Sequence, residues 1–480
     1  MSDTHHHSRP GHAEGEGFTR VLGRFDVLAV AFGAMIGFGW IVLTGTFIES
    51  AGSLGSALAF VAGGVVILLV ALTYAELVSA MPHVGGEHNY VLRAMGSRPA
   101  FFTSWMLVLG YVSVVAFEAV ALPQTLLYLF PDMLIGKLWT VAGYDVYASW
   151  MAVGILASVG ITALNVRGVR PTAVFQTVAV AFLLVVGAML LTGSFVGGDS
   201  RNLEPLFTGG VSGFLAVLVA TPFLFVGFDV IPQSAEEINL ESRKIGQVLL
   251  LSVFMAVAWY VMVMLTVSSA LPASVLAQSD LAAADGMSQL WGSPIFGQIL
   301  VLGGIAGILT SWNGFLIGAS RLIYAMARSG MLPSWFAKLH PTYKTPVNAI
   351  IFVGGLATLS PFFGRPALVW LVDAGGLAII VAFLMVSLSF VVLRAKEPDM
   401  PRPFTTPGGM VTGVLAVVLA ASLAILFMPG MSAALVWPQE WAIVLAWAVL
   451  GAVFMARLPK VTPGKDAEHE LMVKTGRLPG

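Results

Sequence analysis

The chain reads as a train of long apolar stretches separated by short polar ones. The bilayer supplies the ruler for such stretches, because a hydrocarbon core of about 30 Å takes roughly 20 apolar residues of helix. Runs of that length fall near 25–50, 55–81, 101–130, 147–166, 171–194 and 211–233. Six more fall near 246–271, 296–327, 346–363, 368–394, 409–429 and 439–457. The pattern predicts an all-α membrane protein with twelve transmembrane helices. It divides the chain into a disordered cytoplasmic N-terminal tail (1–20), one transmembrane domain (21–460) and a cytoplasmic C-terminal tail (461–480).

Charge tests this count independently, since cytoplasmic loops concentrate Lys and Arg. With the N-terminus inside, 21 of the 24 basic residues fall on cytoplasmic segments, and only Lys137, Arg201 and Arg365 fall outside. Losing or adding one helix midway would scramble that bias. The expected placement is a multi-pass protein of the plasma membrane with both termini cytoplasmic.

Composition agrees. Hydrophobic residues make up 58% and charged residues 10% of the 480, against about 25% charged in soluble domains. A net charge of −1 favours no nucleic-acid partner. The chain has no Cys, which excludes thiolate catalysis and Cys-based zinc sites. Its leading polar segment lacks the apolar core of a signal peptide and is expected to stay attached. His5, His6, His7 and His12 sit in that tail and carry no metal site; no metal or cofactor is expected.

Two spans are built to break. The first contains Gly33, Gly37 and Gly39 within seven residues, each weakening a helix by up to about 1 kcal/mol relative to Ala. The sixth runs through Pro222, Gly227, Asp229 and Pro232, and a proline removes a helical hydrogen bond and clashes with the preceding turn. These spans open two five-helix blocks, 25–194 and 211–394, with the helices at 409–457 appended. Matching breaks in two halves mark a transporter's binding site. Backbone N–H and C=O groups freed at membrane depth need a cavity, and a polar solute fits it. N–H groups around Gly37 to Gly39 suit a carboxylate. Carbonyls near Ala34 and Met35, and near Phe223 and Val226, suit an ammonium. The competing reading of Gly33 and Gly37 is a small-xxx-small packing pair.

The residues carry a family resemblance from about Arg20 to Lys460. Its pieces are Gly33-Ala34-Met35-Ile36-Gly37-Phe38-Gly39; Tyr74-Ala75-Glu76-Leu77 leading to Gly85-Gly86-Glu87; and Asn165-Val166-Arg167-Gly168. They continue with Phe225-Val226-Gly227-Phe228-Asp229 leading to Ala235-Glu236-Glu237, then Ser320-Arg321-Leu322-Ile323-Tyr324, and Glu397-Pro398-Asp399. In this order the chain resembles the amino acid–polyamine–organocation superfamily of permeases. The resemblance implies a five-plus-five inverted repeat with discontinuous helices one and six. It implies alternating access and substrates that are amino acids or related amines, with polyamines or amino alcohols as the alternative. By motif position it puts solute against Met35, Gly37, Phe38, Gly39, Phe223, Phe225, Val226, Gly227 and Trp312. Trp312 also reads as an interior packing residue. The chain departs from the family twice: bulky Phe38 stands where a small residue is common, and 172–194 lacks the Lys of some proton-coupled relatives.

Glu118 lies deep in the third span. An acid at a helix centre costs about 2.5–3.5 kcal/mol on insertion scales and so normally faces a cavity or partner. It reads as an ammonium acceptor, a proton carrier, or a protonated structural acid. Asp229 beside the second break reads equally as coupling group or helix cap. Glu76 and Asp373 read as interfacial. Thr310 and Ser311 offer hydroxyls for a coupling sodium, although hydroxyl–backbone bonding is the commoner use. Proton coupling through Glu118 is favoured over sodium, with exchange as a further mode. Competing classes fare worse. A channel would show rings of pore charge, whereas the spans hold single acids, and an intramembrane enzyme would need a reactive constellation that spans without His do not supply.

Overall fold

A computed structural model describes residues 18–37, 39–431 and 434–479. The chain is 74% helical. Its first apolar run is divided into α1 (Arg24–Met35), α2 (Gly39–Val42) and α3 (Thr44–Ala51). α4 (Ser53–Ala80), α5 (Glu87–Met95) and α6 (Ser97–Leu126) follow, then α7 (Ala148–Val166) and α8 (Val169–Gly197). The sixth run is likewise divided, into α9 (Gly210–Phe225) and α10 (Val230–Gln233). Next come α11 (Ser242–Ala270), the short α12 (Ala273–Leu276) and α13 (Ala282–Trp291), and α14 (Pro294–Arg328). The chain closes with α15 (Val347–Ala357), α16 (Ala367–Lys396), α17 (Met410–Ile425), α18 (Gln439–Ala456) and α19 (Ala467–Lys474).

Among the described residues, nine helical segments are long and apolar enough to cross a membrane, and the regions 347–363 and 410–425 are shorter apolar helices. The chain therefore forms a multi-pass membrane protein. Glycine sets several of the boundaries. Gly96 (φ 87°) and Gly168 (φ 119°) take backbone conformations closed to most side chains, so α5 turns into α6 and α7 into α8 within a residue or two.

One expectation needs correction, and several details add to the sequence pattern. The ninth run is not one helix: α15 stops at Ala357 and the chain continues through a 3₁₀ turn at Ser360–Phe363, where Pro361 and Gly364 end the α-helical ladder. In the loop after α6, β1 (Lys137–Val141) and β2 (Tyr144–Tyr147) pair antiparallel. The loop after α11 contains α12 and α13. Glu76, one turn from the end of α4, does not point into solvent. It is fully buried, accepts hydrogen bonds from Arg394 (2.5 and 3.0 Å) and the Thr406 amide (2.7 Å), and lies 3.0 Å from Arg402 Nε. The segment after residue 460 carries α19, whose Leu471 is buried.

α6 is the axis of the bundle. Its most apolar window is 94% buried, whereas that of α18 is 11% buried and faces outward. α14 and α16 pack along α6, and α11 packs along α4. Glu118 therefore sits on the most enclosed of these spans.

Candidate functional site

The two breaks meet. α1 ends at Met35, and Ile36 leaves the helix at φ −106°, ψ 66°. α9 ends at Phe225, Val226 is extended, and Gly227 sits at φ 135°. A Cβ on Gly227 would lie 2.8 Å from the Met35 nitrogen and 2.9 Å from the Ala34 carbonyl carbon. Only a residue without a side chain lets these two backbones approach so closely.

Neighbouring helices supply partners for the freed backbone. Tyr260 of α11 donates to the Met35 carbonyl (3.1 Å). Thr310 of α14 donates to the Gly33 carbonyl (3.1 Å) and to Gly307 (2.9 Å). At the second break, Asp229 accepts from the Gly227 amide (2.8 Å) and from the Tyr111 hydroxyl (2.6 Å). It thus braces the break from within and makes no side-chain cap bond to α10.

A cavity of about 20 Å³ opens between the breaks. Ala34, Met35, Gly37 and Gly39 line it from the first break, Phe223 and Leu224 from α9, and Tyr260 from α11. Val114, Phe117 and Glu118 of α6 and Ser311 and Phe315 of α14 complete it. That volume is about one water sphere, so the site is closed around its own side chains. A Cβ on Gly37 would lie 2.4 Å from Glu118 Oε1 and 2.9 Å from Ser311 Oγ. A Cβ on Gly39 would lie 2.3 Å from Leu224 Cδ2. On the side that carries Leu22, Arg321 pairs with Glu237 at 2.9 Å with both side chains buried. The strand-like bridge of Leu22 to Ile238 lies on the same side.

Of the residues singled out in the sequence, Met35, Gly37, Gly39, Glu118, Phe223 and Ser311 come together on the cavity. Phe38 lies outside the described residues. Phe225 is buried edge-on against Phe60 and Tyr260, with centroids at 5.9 and 5.4 Å. Val226 and Gly227 form the break behind the cavity, and Asp229 lies beyond them. Trp312 is fully buried and does not line the cavity, and neither does Thr310. The geometry of α14 explains this: each residue turns the helix by about 100°, so facing Ser311 inward rotates both neighbours away.

The same periodicity would have found lining residues missed in the sequence. Phe315 is one turn from Ser311, and Val114 one turn from Glu118. Tyr260 carried no local signal, since α11 is uninterrupted and only its docking against α1 brings the hydroxyl to Met35.

Beside the cavity runs a chain of buried amides. Asn165 of α7 donates to Asn313 (2.8 Å), and Asn313 donates to Gln176 of α8 (2.8 Å). Gln176 Nε2 donates to the Thr310 carbonyl (3.0 Å) and the Ala29 carbonyl (3.4 Å).

Broken helices meeting around a closed, buried pocket at the centre of a membrane bundle define a solute carrier. Its family follows from comparison: a sequence profile of the amino acid permease family matches residues 22–454, and the chain belongs to that family. It is similar to a branched-chain amino acid permease of Bacillus subtilis (strain 168), 29% identical over 84% of this chain and 87% of the relative. A methylthioribose transporter of the same organism is 28% identical over 92% of this chain and 94% of its own length. An aspartate-proton symporter, also from Bacillus subtilis (strain 168), is 26% identical over 84% and 78%. The protein is an amino acid transporter of the membrane and not an enzyme.

Proposed function

We propose that the protein is a secondary active transporter that carries amino acids by alternating access, with a proton as coupling ion. In this reading residues 21–460 form one permease domain. Its twelve spans are two inverted five-helix repeats, 25–194 and 211–394, plus helices at 409–457. The domain sits in the plasma membrane with both termini cytoplasmic. The observation that carries the reading is the contact of two helix breaks, 190 residues apart in sequence, around one closed cavity. Each break exposes polar backbone that only a cavity or a solute satisfies at membrane depth.

Solute meets Met35, Gly37, Gly39, Glu118, Phe223 and Ser311, and the rings of Phe117 and Phe315 take its side chain. Phe225, Val226, Gly227, Asp229 and Trp312 hold the break and its surroundings. Two observations favour the proton over sodium. The Thr310 hydroxyl already donates to a first-break carbonyl, and the Gln176 amide fills the adjacent Ala29 and Thr310 carbonyls. A cation there would have to displace neutral donors carried by α8 and α14. Similarity to an aspartate-proton symporter also fits the reading.

Counterflow in liposomes tests it. Purified protein is screened for thermal stabilisation by amino acids, amino alcohols and polyamines, and each hit is then followed as radiolabelled uptake. Uptake is expected to be accelerated by internal unlabelled amino acid and by an inward proton gradient, and unchanged when choline replaces sodium. Sodium-driven uptake indifferent to pH would refute the coupling assignment; conductance without counterflow would refute the carrier.

A further inference from the structure

The Glu118 carboxylate lies against the backbone of the first break. A Cβ on Gly37 would sit 2.4 Å from Glu118 Oε1, and a Cα–Cβ bond is about 1.5 Å, so this oxygen is within roughly 4 Å of the Gly37 backbone. Ser311 Oγ, 2.9 Å from the same Cβ position, flanks it. The first break thus has an acid of the chain itself against its backbone at Gly37.

What surrounds Glu118 sharpens the point. α1 and α2 bring backbone at Gly37 and Gly39, and α9 brings Phe223 and Leu224. α14 brings Ser311 and Phe315, and α11 brings Tyr260, the other titratable group on the cavity wall. Among the described lining residues there is no Lys, Arg or His. Asp229 is already engaged by Tyr111 and Gly227. No fixed cation stands ready to hold two carboxylates side by side, and two ionised carboxylates a few ångströms apart in a dry pocket are strongly disfavoured.

We propose that Glu118 is a tethered occupant of the solute-carboxylate position, so that an amino acid binds only as Glu118 takes up one proton from bulk water. This rests on the reading that amino acids bind at the first break. The proton joins the Glu118 carboxylate, the neutral acid yields the backbone end, and the zwitterion's carboxylate replaces it. Releasing the solute reverses both steps, which ties proton and amino acid in a ratio of one to one. A primary amine without a carboxylate meets the ionised Glu118 directly and takes up no proton. The site therefore distinguishes amino acids from their decarboxylated amines by proton linkage, whatever their relative affinities.

Isothermal titration of the purified full-length protein tests this. The proteinogenic amino acids are screened first, and the tightest binder is titrated in two buffers of unequal ionisation enthalpy, beside its decarboxylated amine. For leucine that amine is isoamylamine. At a pH where Glu118 is ionised in the free protein, one proton per amino acid and none per amine is expected. The amino acid's affinity should fall about tenfold per pH unit once Glu118 is ionised in the free protein. Glu118→Gln should abolish both the proton uptake and the pH slope. Amino acid binding without proton uptake, or uptake that survives Glu118→Gln, overturns the proposal. Equal proton uptake by amine and amino acid overturns it without recourse to any variant. If no amino acid binds at any pH, the underlying site reading fails instead.

Discussion

Gly37→Ala is the smallest change that reaches the centre of the site. Gly37 has no positive φ, so alanine fits the backbone and any effect comes from the added methyl. That methyl would lie 2.4 Å from Glu118 Oε1, 2.9 Å from Ser311 Oγ and 3.1 Å from Ser311 Cβ. These atoms stand on two separate helices, α6 and α14, that are packed against each other. No single rotamer change relieves both contacts. Overpacking of this kind costs typically about 1–3 kcal/mol. The cavity itself is about 20 Å³, so the methyl takes much of the free space before any solute arrives. For a pocket that excludes one methylene, solute binding should weaken roughly 10- to 200-fold. Equilibrium binding of the best amino acid, paired with thermal unfolding, measures the two effects separately. Gly160→Ala is the control, since its Cβ meets nothing within 4 Å, and binding there should be unchanged. If Gly37→Ala binds within about twofold of wild type, a shift of only about 0.4 kcal/mol, solute does not occupy the space between Gly37, Glu118 and Ser311.

Two further substitutions probe the scaffold. Glu76→Gln leaves Arg394 and Arg402 facing a neutral amide in a buried pocket. It should cost about 3–5 kcal/mol, seen as a lower unfolding temperature; an unchanged temperature would make the cluster dispensable. Gly227→Ala forces a side chain into φ 135° with its Cβ 2.8 Å from the Met35 nitrogen. The obstacle is backbone, so monodisperse protein should drop sharply in size-exclusion profiles where Gly37→Ala does not. Equal yields would mean that the two breaks can separate freely.

The sequence alone determined much of this protein, because lipid allows few solutions. Apolar runs of bilayer length and the bias of Arg and Lys follow from solvent physics that acts along the chain, so the membrane class and most helix positions were readable. The breaks were readable too, since Gly37, Gly39, Pro222 and Gly227 weaken helices wherever they occur. Glu118 stood out because an acid deep in an apolar run is costly.

What tertiary structure decided was which way each side chain points and which neighbour meets it. Ser311 lines the cavity while Thr310 and Trp312 turn away, although the three are adjacent in sequence. Glu76 looked like a helix-end acid and is instead enclosed by two arginines more than three hundred residues distant. Tyr260 and Gln176 carry no local mark, and their hydrogen bonds exist only because α11 and α8 dock against α1. Helix formation is local and written in composition and period; facing and partnership depend on the rotation and approach of packed helices, which residues far apart in the chain set together.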